Sequence, residues 1–343
     1  MNKKILAIQF KYLGDAVFIT PALFSLRQQY PEAEIHVLVA KEAAPLFTHI
    51  SWINKVWAFP RIRGKSNILE SWPIIHALRK EGFTKSVDFA GNDRGAIISL
   101  LIGAKNRLAG TSTPPKALHK IAYTQILAVE KLPISWVKRH LQMLFIGWQT
   151  PTLEEHKLII QSNPDLASVA KTILQDHTII CHLGTSQPKK EWPIHKWHEL
   201  YKLAKRADYK LAFSTGQNER ERQLLVDLKT LAPDIFELPK TLDLEMFLAV
   251  LNQAELVIAG DTGPLHFASG LGTKVIGLFG TEDSVMHTAP IYKNNELIFG
   301  TPCICKNITP FTNTCQSPFP CMNSIKPKQV FTAINAHLNK TKF

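Results

Sequence analysis

Short apolar runs along the chain alternate with segments whose apolar residues return every three or four positions. Residues 4–10 form a continuous apolar run suited to a strand buried on both faces of a parallel sheet. A turn at Tyr12-Leu13-Gly14-Asp15 follows, and Ala16, Ile19, Leu23 and Leu26 then recur at helical spacing until Tyr30-Pro31 ends the pattern. The alternation continues with strands over 34–40, 56–59 and 85–90 and helices over 42–49, 67–81 and 95–102. A polar, proline-containing stretch around 149–152 interrupts it. It then restarts, with strands over 177–183, 209–214, 255–259 and 274–279 and helices over 194–206, 219–231, 244–252 and 264–271. Residues 301–325 are irregular, and 328–338 close the chain as a helix.

Strands alternating with helices imply βαβ units and parallel sheets. Two such runs around a linker predict an α/β protein of two Rossmann-like domains, 1–152 and 153–326, with the closing helix, 327–343, a candidate to pack back on the first. In such sheets ligands bind beyond the carboxyl ends of the strands. The loops that follow strands are therefore the places to look for chemistry.

Length and composition agree with this reading. The chain has 343 residues, 45% hydrophobic and 20% charged, as ordinary globular proteins do. No apolar run reaches the roughly 18–20 residues needed to span a bilayer, and the run at 5–10 is too short for a signal-peptide core. A cytoplasmic protein is expected. Charge adds a directional signal. Residues 1–150 carry 20 Lys/Arg against 9 Asp/Glu, a net +11, while 151–343 carry 20 against 19. A one-sided positive field suits a polyanionic partner or a solvated basic surface. Among polyanions, nucleic acid is not expected, since no helix-turn-helix, zinc-finger or RNA-recognition signature is present.

Three segments carry candidate chemistry. Asp15 lies at the start of the first helix, after the first strand; it could accept a proton from a substrate hydroxyl or simply cap the helix. His182-Leu183-Gly184-Thr185-Ser186 leads to Lys189-Lys190-Glu191-Trp192-Pro193, a loop whose hydroxyls, backbone N–H groups and lysines suit phosphate but which is not a Walker A loop. Asp261-Thr262-Gly263-Pro264-Leu265-His266 comes directly off a strand, with Pro264 favouring a helix start. Its free helix N-terminus suits a diphosphate, whereas Asp261 would repel phosphate and suits a sugar hydroxyl. No G-x-G-x-x-G opens the first βα turn, which argues against a dehydrogenase. Cys181 sits in an apolar strand and reads as a small buried hydrophobe; Cys303, Cys305, Cys315 and Cys321 lack paired C-x2-C spacing, leaving reduced thiols, a disulfide or a structural metal open.

Together the segments resemble glycosyltransferase family 9, the ADP-heptose:lipopolysaccharide heptosyltransferases. The resemblance runs through residues 8–17 with Thr20-Pro21-Ala22-Leu23, 182–193, 261–268, 271–273 and 275–280, and it includes Cys321-Met322 with Ile325. The lead-in Gln9-Phe10-Lys11-Tyr12 and the C-x-C spacing depart from the family's commoner patterns. The resemblance implies a GT-B architecture, two Rossmann-like domains facing across a cleft, and inverting transfer that needs no metal or other cofactor. It implies ADP-heptose as donor and an anionic lipopolysaccharide inner-core acceptor, with peripheral contact at the cytoplasmic face of the inner membrane. On this reading Asp15 is the catalytic base. Thr185, Ser186, Lys190, Thr262, Gly263 and His266 meet the donor diphosphate, Asp261 the transferred sugar and Glu219 the ribose. Arg61, Arg63, Lys65, Lys116 and Lys120, with Lys138 and Arg139, are candidates for the acceptor. A different nucleotide sugar and a non-enzymatic polyanion-binding protein are the competing readings.

Overall fold

The computed structural model describes residues 3–11, 13–60, 68–111 (side chains from residue 70), 114–128, 135–151, 157–280, 288, 295–301, 315 and 320–338. They divide into two units, Met1–Gln161 and Ser162–Phe343.

The first unit is built on β1 (Lys4–Gln9), β2 (Glu34–Ala40), β3 (Lys55–Phe59), β4 (Lys85–Asp88), β5 (Asn106–Thr111) and β6 (Gln125–Ala128). They form one sheet in the order β3-β2-β1-β4-β5-β6, every adjacent pair parallel. Ile5, Leu6, Ala7 and Ile8 of β1 are fully buried, as a central strand covered on both faces requires.

The second unit repeats the plan with β7 (Ile179–His182), β8 (Leu211–Ser214), β9 (Phe236–Glu237), β10 (Leu256–Gly260), β11 (Lys274–Phe279) and β12 (Asn295–Phe299). Its order is β12-β11-β10-β7-β8-β9, again all parallel. Each sheet thus has the doubly wound order, with a switch point between its first and fourth strands. In the first unit the switch lies between β1 and β4; in the second it lies between β7 and β10.

The boundary falls about nine residues later than the sequence placed it, because the connecting segment is tied to the first unit. Ile159 N donates to Thr20 Oγ1 at 3.0 Å and Ser51 N to Gln161 Oε1 at 3.1 Å, and Leu158 and Ile160 are buried. The closing helix also differs from expectation. Pro327–Leu338 belongs to the second unit, where Val330, Ala333 and Ile334 join Leu200, Ala204 and Ile276 in one core. Trp192 Nε1 donates to the Ile325 carbonyl at 3.1 Å, tying the turn before this helix to the loop after β7. Cys181 lies in the same core, where burial pushes its thiol up. Cys303 and Cys305 lie outside the described residues.

Candidate active site

In the second unit, the two segments that the sequence singled out separately leave adjacent strands. His182 pairs in register with Ala259, so the loop after β7 and the loop after β10 emerge side by side at the switch point. Lys190 Nζ lies 2.5 Å from Asp261 Oδ2, and His266 Nε2 lies 3.5 Å from Asp261 Oδ1. Burial works against the Asp261 charge. The His266 hydrogen bond and the Lys190 charge outweigh it and hold the carboxyl well below the usual carboxylate range.

The helix Gly263–Leu271 begins here with Thr262 as its N-cap, but the Thr262 hydroxyl accepts no hydrogen bond from the helix. Thr262 and Gly263 therefore stand at the positive end of a helix macrodipole beside a lysine, an arrangement suited to an anionic group, while the buried His266 faces Asp261. Gly260 brings the two loops together: a methyl there would stand 3.1 Å from Thr185 Cγ2 and 3.2 Å from the Lys190 carbonyl oxygen.

The loop after β7 is internally braced. Thr185 is buried, and its hydroxyl donates to the Gln187 carbonyl at 2.6 Å, whereas Ser186 is exposed. Arg220 bonds Glu191 and donates to the Thr185 carbonyl at 2.5 Å. Burial raises the Glu191 carboxyl, against the opposing pull of Arg220. Glu219 is exposed in the first turn of the helix Glu219–Leu231. Two residues on, Glu221 is buried and accepts from Gly216 N at 3.0 Å. Sequence reading passed over both Arg220 and Glu221. The clue was the charged run Glu219-Arg220-Glu221-Arg222 directly after a strand-ending glycine turn.

In the first unit, Asp15 is the third residue of the short helix Leu13–Val17 after β1, half-buried. The Asp15 carboxylate acts on Lys11: burial lowers the Lys11 pKa, while the charges of Asp15 and Asp88 partly restore it. Lys11 Nζ and Arg139 Cζ lie 4.2 Å and 4.8 Å from the Trp136 ring centroid. Arg139 is buried, and Lys138 beside it is exposed. Asp88, at the carboxyl end of β4 across the switch point, is a fully buried carboxylate that the sequence reading missed. Burial raises its pKa, although Tyr123 donates at 2.6 Å and the Ala90 and Gly91 N–H groups at 2.9 and 3.1 Å. An acidic residue between the apolar Val87 and Phe89 in a strand-like stretch was its only signal.

The acceptor candidates separate. Arg61, Arg63 and Lys65 lie outside the described residues. Lys116 pairs with Asp93 at 2.9 Å, and His119 meets the same carboxylate at 2.9 Å. Lys120 is exposed on the helix Ala117–Ala122.

The sequence profile of glycosyltransferase family 9 (heptosyltransferase) matches residues 71–310. The chain belongs to this family.

A lipopolysaccharide heptosyltransferase 1 from Campylobacter coli is 22% identical, over 96% of this chain and 98% of its own length. Among solved structures, a family 9 glycosyltransferase from Veillonella parvula superposes with a TM-score of 0.83 at 16% identity, covering 99% of this chain and 98% of that one. The E. coli ADP-heptose lipopolysaccharide heptosyltransferase II superposes at 0.80 with 17% identity, covering 99% and 100%. These likenesses establish the GT-B fold, two Rossmann-like domains in one chain. This family 9 protein is a glycosyltransferase. Among its described residues no helix is long and apolar enough to cross a membrane.

Proposed function

We propose that this family 9 enzyme transfers heptose from ADP-heptose to a hydroxyl of an anionic lipopolysaccharide inner-core acceptor, with inversion at the anomeric carbon. The observation that carries the reading is the meeting of Lys190, Asp261 and His266 at the start of the helix Gly263–Leu271. That constellation provides a cation and a helix N-terminus for a diphosphate, and a charged carboxylate for sugar hydroxyls.

The second unit holds the donor. Lys190, Thr262, Gly263, His266 and the backbone of the Thr185–Ser186 loop serve the diphosphate; Asp261 orients the heptose; Glu219, exposed at its helix start, meets the ribose. Asp15 takes the proton of the acceptor hydroxyl as its oxygen attacks the anomeric carbon. The bond from that carbon to the phosphate oxygen breaks, and ADP leaves. Lys190 and the helix N-terminus stabilise the charge that develops on the departing phosphate.

The first unit presents the acceptor. Its net +11 over residues 1–150 suits the phosphates and carboxylates of such a glycan. The same unit leaves Trp72, Ile97 and Ile121 exposed, Ile121 next to Lys120, which supports peripheral contact with an anionic bilayer on the cytoplasmic side.

The test is transfer from ADP-heptose to a deacylated inner-core acceptor, with the product anomer assigned by NMR. Transfer with inversion supports the proposal. Transfer only from UDP- or GDP-sugars would keep the reaction class and replace the donor.

A further inference from the structure

The Glu221 carboxylate occupies a position that neither contact with the donor nor catalysis explains. It sits on the third residue of the helix Glu219–Leu231, whose N-cap Asn218 accepts from Glu221 N at 2.9 Å and returns a bond from Nδ2 to Glu221 Oε1 at 2.5 Å. An N-cap residue paired with a carboxylate three positions on is a capping-box arrangement. In that motif the carboxylate closes on the N-cap backbone. Here Oε2 reaches further back, to Gly216 N at 3.0 Å.

Two glycines face this oxygen. A methyl on Gly216 would stand 2.2 Å from Oε2, and a methyl on Gly184 would stand 2.1 Å from it. Gly184 belongs to the loop after β7, which carries Thr185, Ser186 and Lys190; Gly216 belongs to the loop after β8. The carboxylate thus fills the gap between two loops on neighbouring strands, a gap that exists only because both residues lack a side chain. Arg220 extends the brace: its guanidinium holds the Thr185 carbonyl and Glu191 on one side and lies 3.6 Å from Glu221 Oε1 on the other.

We propose that Glu221 is a positioning residue for the nucleotide-sugar donor. Its carboxylate sets the spacing between the Gly184–Lys190 and Gly216–Asn218 loops, and through it the placement of the groups that hold the diphosphate. This rests on the assignment of the donor to the second unit.

The experiment combines ADP calorimetry at 10 °C with hydrogen exchange of peptides covering 183–191 and 215–218, on wild type, E221A, E221Q, G184A and E221A/G184A. E221A is expected to weaken ADP binding by about tenfold, the loss of one hydrogen bond to a charged group, and to speed exchange in both loops. E221Q keeps the volume and an acceptor for Gly216 N–H, so it should stay within about threefold of wild type. G184A displaces the carboxylate in the wild-type background and should match E221A, yet add little to E221A itself, the signature of coupled sites.

Additive effects of G184A and E221A would overturn the proposal. So would faster loop exchange with unchanged ADP affinity, which is what a residue that only stabilises the domain would give. If E221A fails to fold, G184A and E221Q carry the same comparison. If wild type binds no ADP, the donor assignment fails, and the exchange data still decide whether the carboxylate couples the two loops.

Discussion

Lys190 and Asp261 are 71 residues apart in sequence, and their side chains meet at 2.5 Å. The contact follows from strand order: β7 and β10 are neighbours because the chain reverses its winding between them. Asp261 is nearly excluded from water, with 9% of its side chain exposed, whereas Lys190 keeps 31%. The lysine is therefore the more accessible partner, and His266 supports the carboxylate from its other oxygen.

K190A should weaken ADP and donor binding by about ten- to a hundredfold, the range for losing a hydrogen bond to a charged group. Maximal turnover at saturating donor should fall as well, because Lys190 also stabilises the charge that develops on the departing phosphate. Calorimetry with ADP and donor-saturation kinetics separate the two quantities. K190R should recover only part of the affinity, since a planar guanidinium replaces a compact ammonium in a fitted contact.

D15A should leave ADP affinity at the wild-type value and reduce turnover by about a hundred- to ten-thousandfold, the usual contribution of a positioned general base. Steady-state transfer assays alongside nucleotide binding measure both. Near-normal turnover in this variant would remove Asp15 from the mechanism.

Stability should fall as the pH drops from about 6.5 toward 4. Burial pushes both His140 and His182 down to about 4, so in this window the unfolded chain takes up protons that the folded protein does not. Asp261 has the opposite timing. Its folded pKa is depressed, so its contribution persists through this window and is lost only under stronger acid. Urea titrations from pH 7 to 4 should therefore show a slope that H182N flattens. Asn retains a polar group for the Ser214 hydroxyl, which lies 2.9 Å from His182 Nδ1.

G95A should destabilise the first unit by about 1–3 kcal/mol, as overpacking does. The added methyl would fall 1.8 Å from Asp88 Oδ2, inside the pocket that Tyr123, Ala90 and Gly91 build around that carboxylate. Thermal melting checks this. An unchanged melting temperature would mean that the Asp88 pocket adapts without cost.

Local patterns made the strand and helix alternation legible, and with it both sheets. The apolar run 4–10 and the Asp261–His266 segment each announce their structure within a few residues. What escaped depended on distant neighbours. β5 carries too little apolar sequence for a run and is a strand because β4 offers it an edge, and β6, a run of only four residues, pairs in turn with β5. Glu221 reads as one more surface charge of a polar helix until Gly184, 37 positions earlier, leaves the space that it fills. Asp88 reads as a strand end until Tyr123 supplies a hydroxyl. The apolar face of the closing helix does not by itself name its partner; the core shared with Leu200, Ala204 and Ile276 and the tie between Trp192 and Ile325 place it in the second unit.

The most direct test of the central claim is calorimetric titration of the purified protein with ADP-heptose, ADP, UDP-sugars and GDP-sugars. ADP-heptose and ADP are expected to bind and UDP- and GDP-sugars are not, and K190A should weaken the binding by about ten- to a hundredfold. Preferential binding of a UDP- or GDP-sugar, or ADP affinity unaffected by K190A, would contradict that claim.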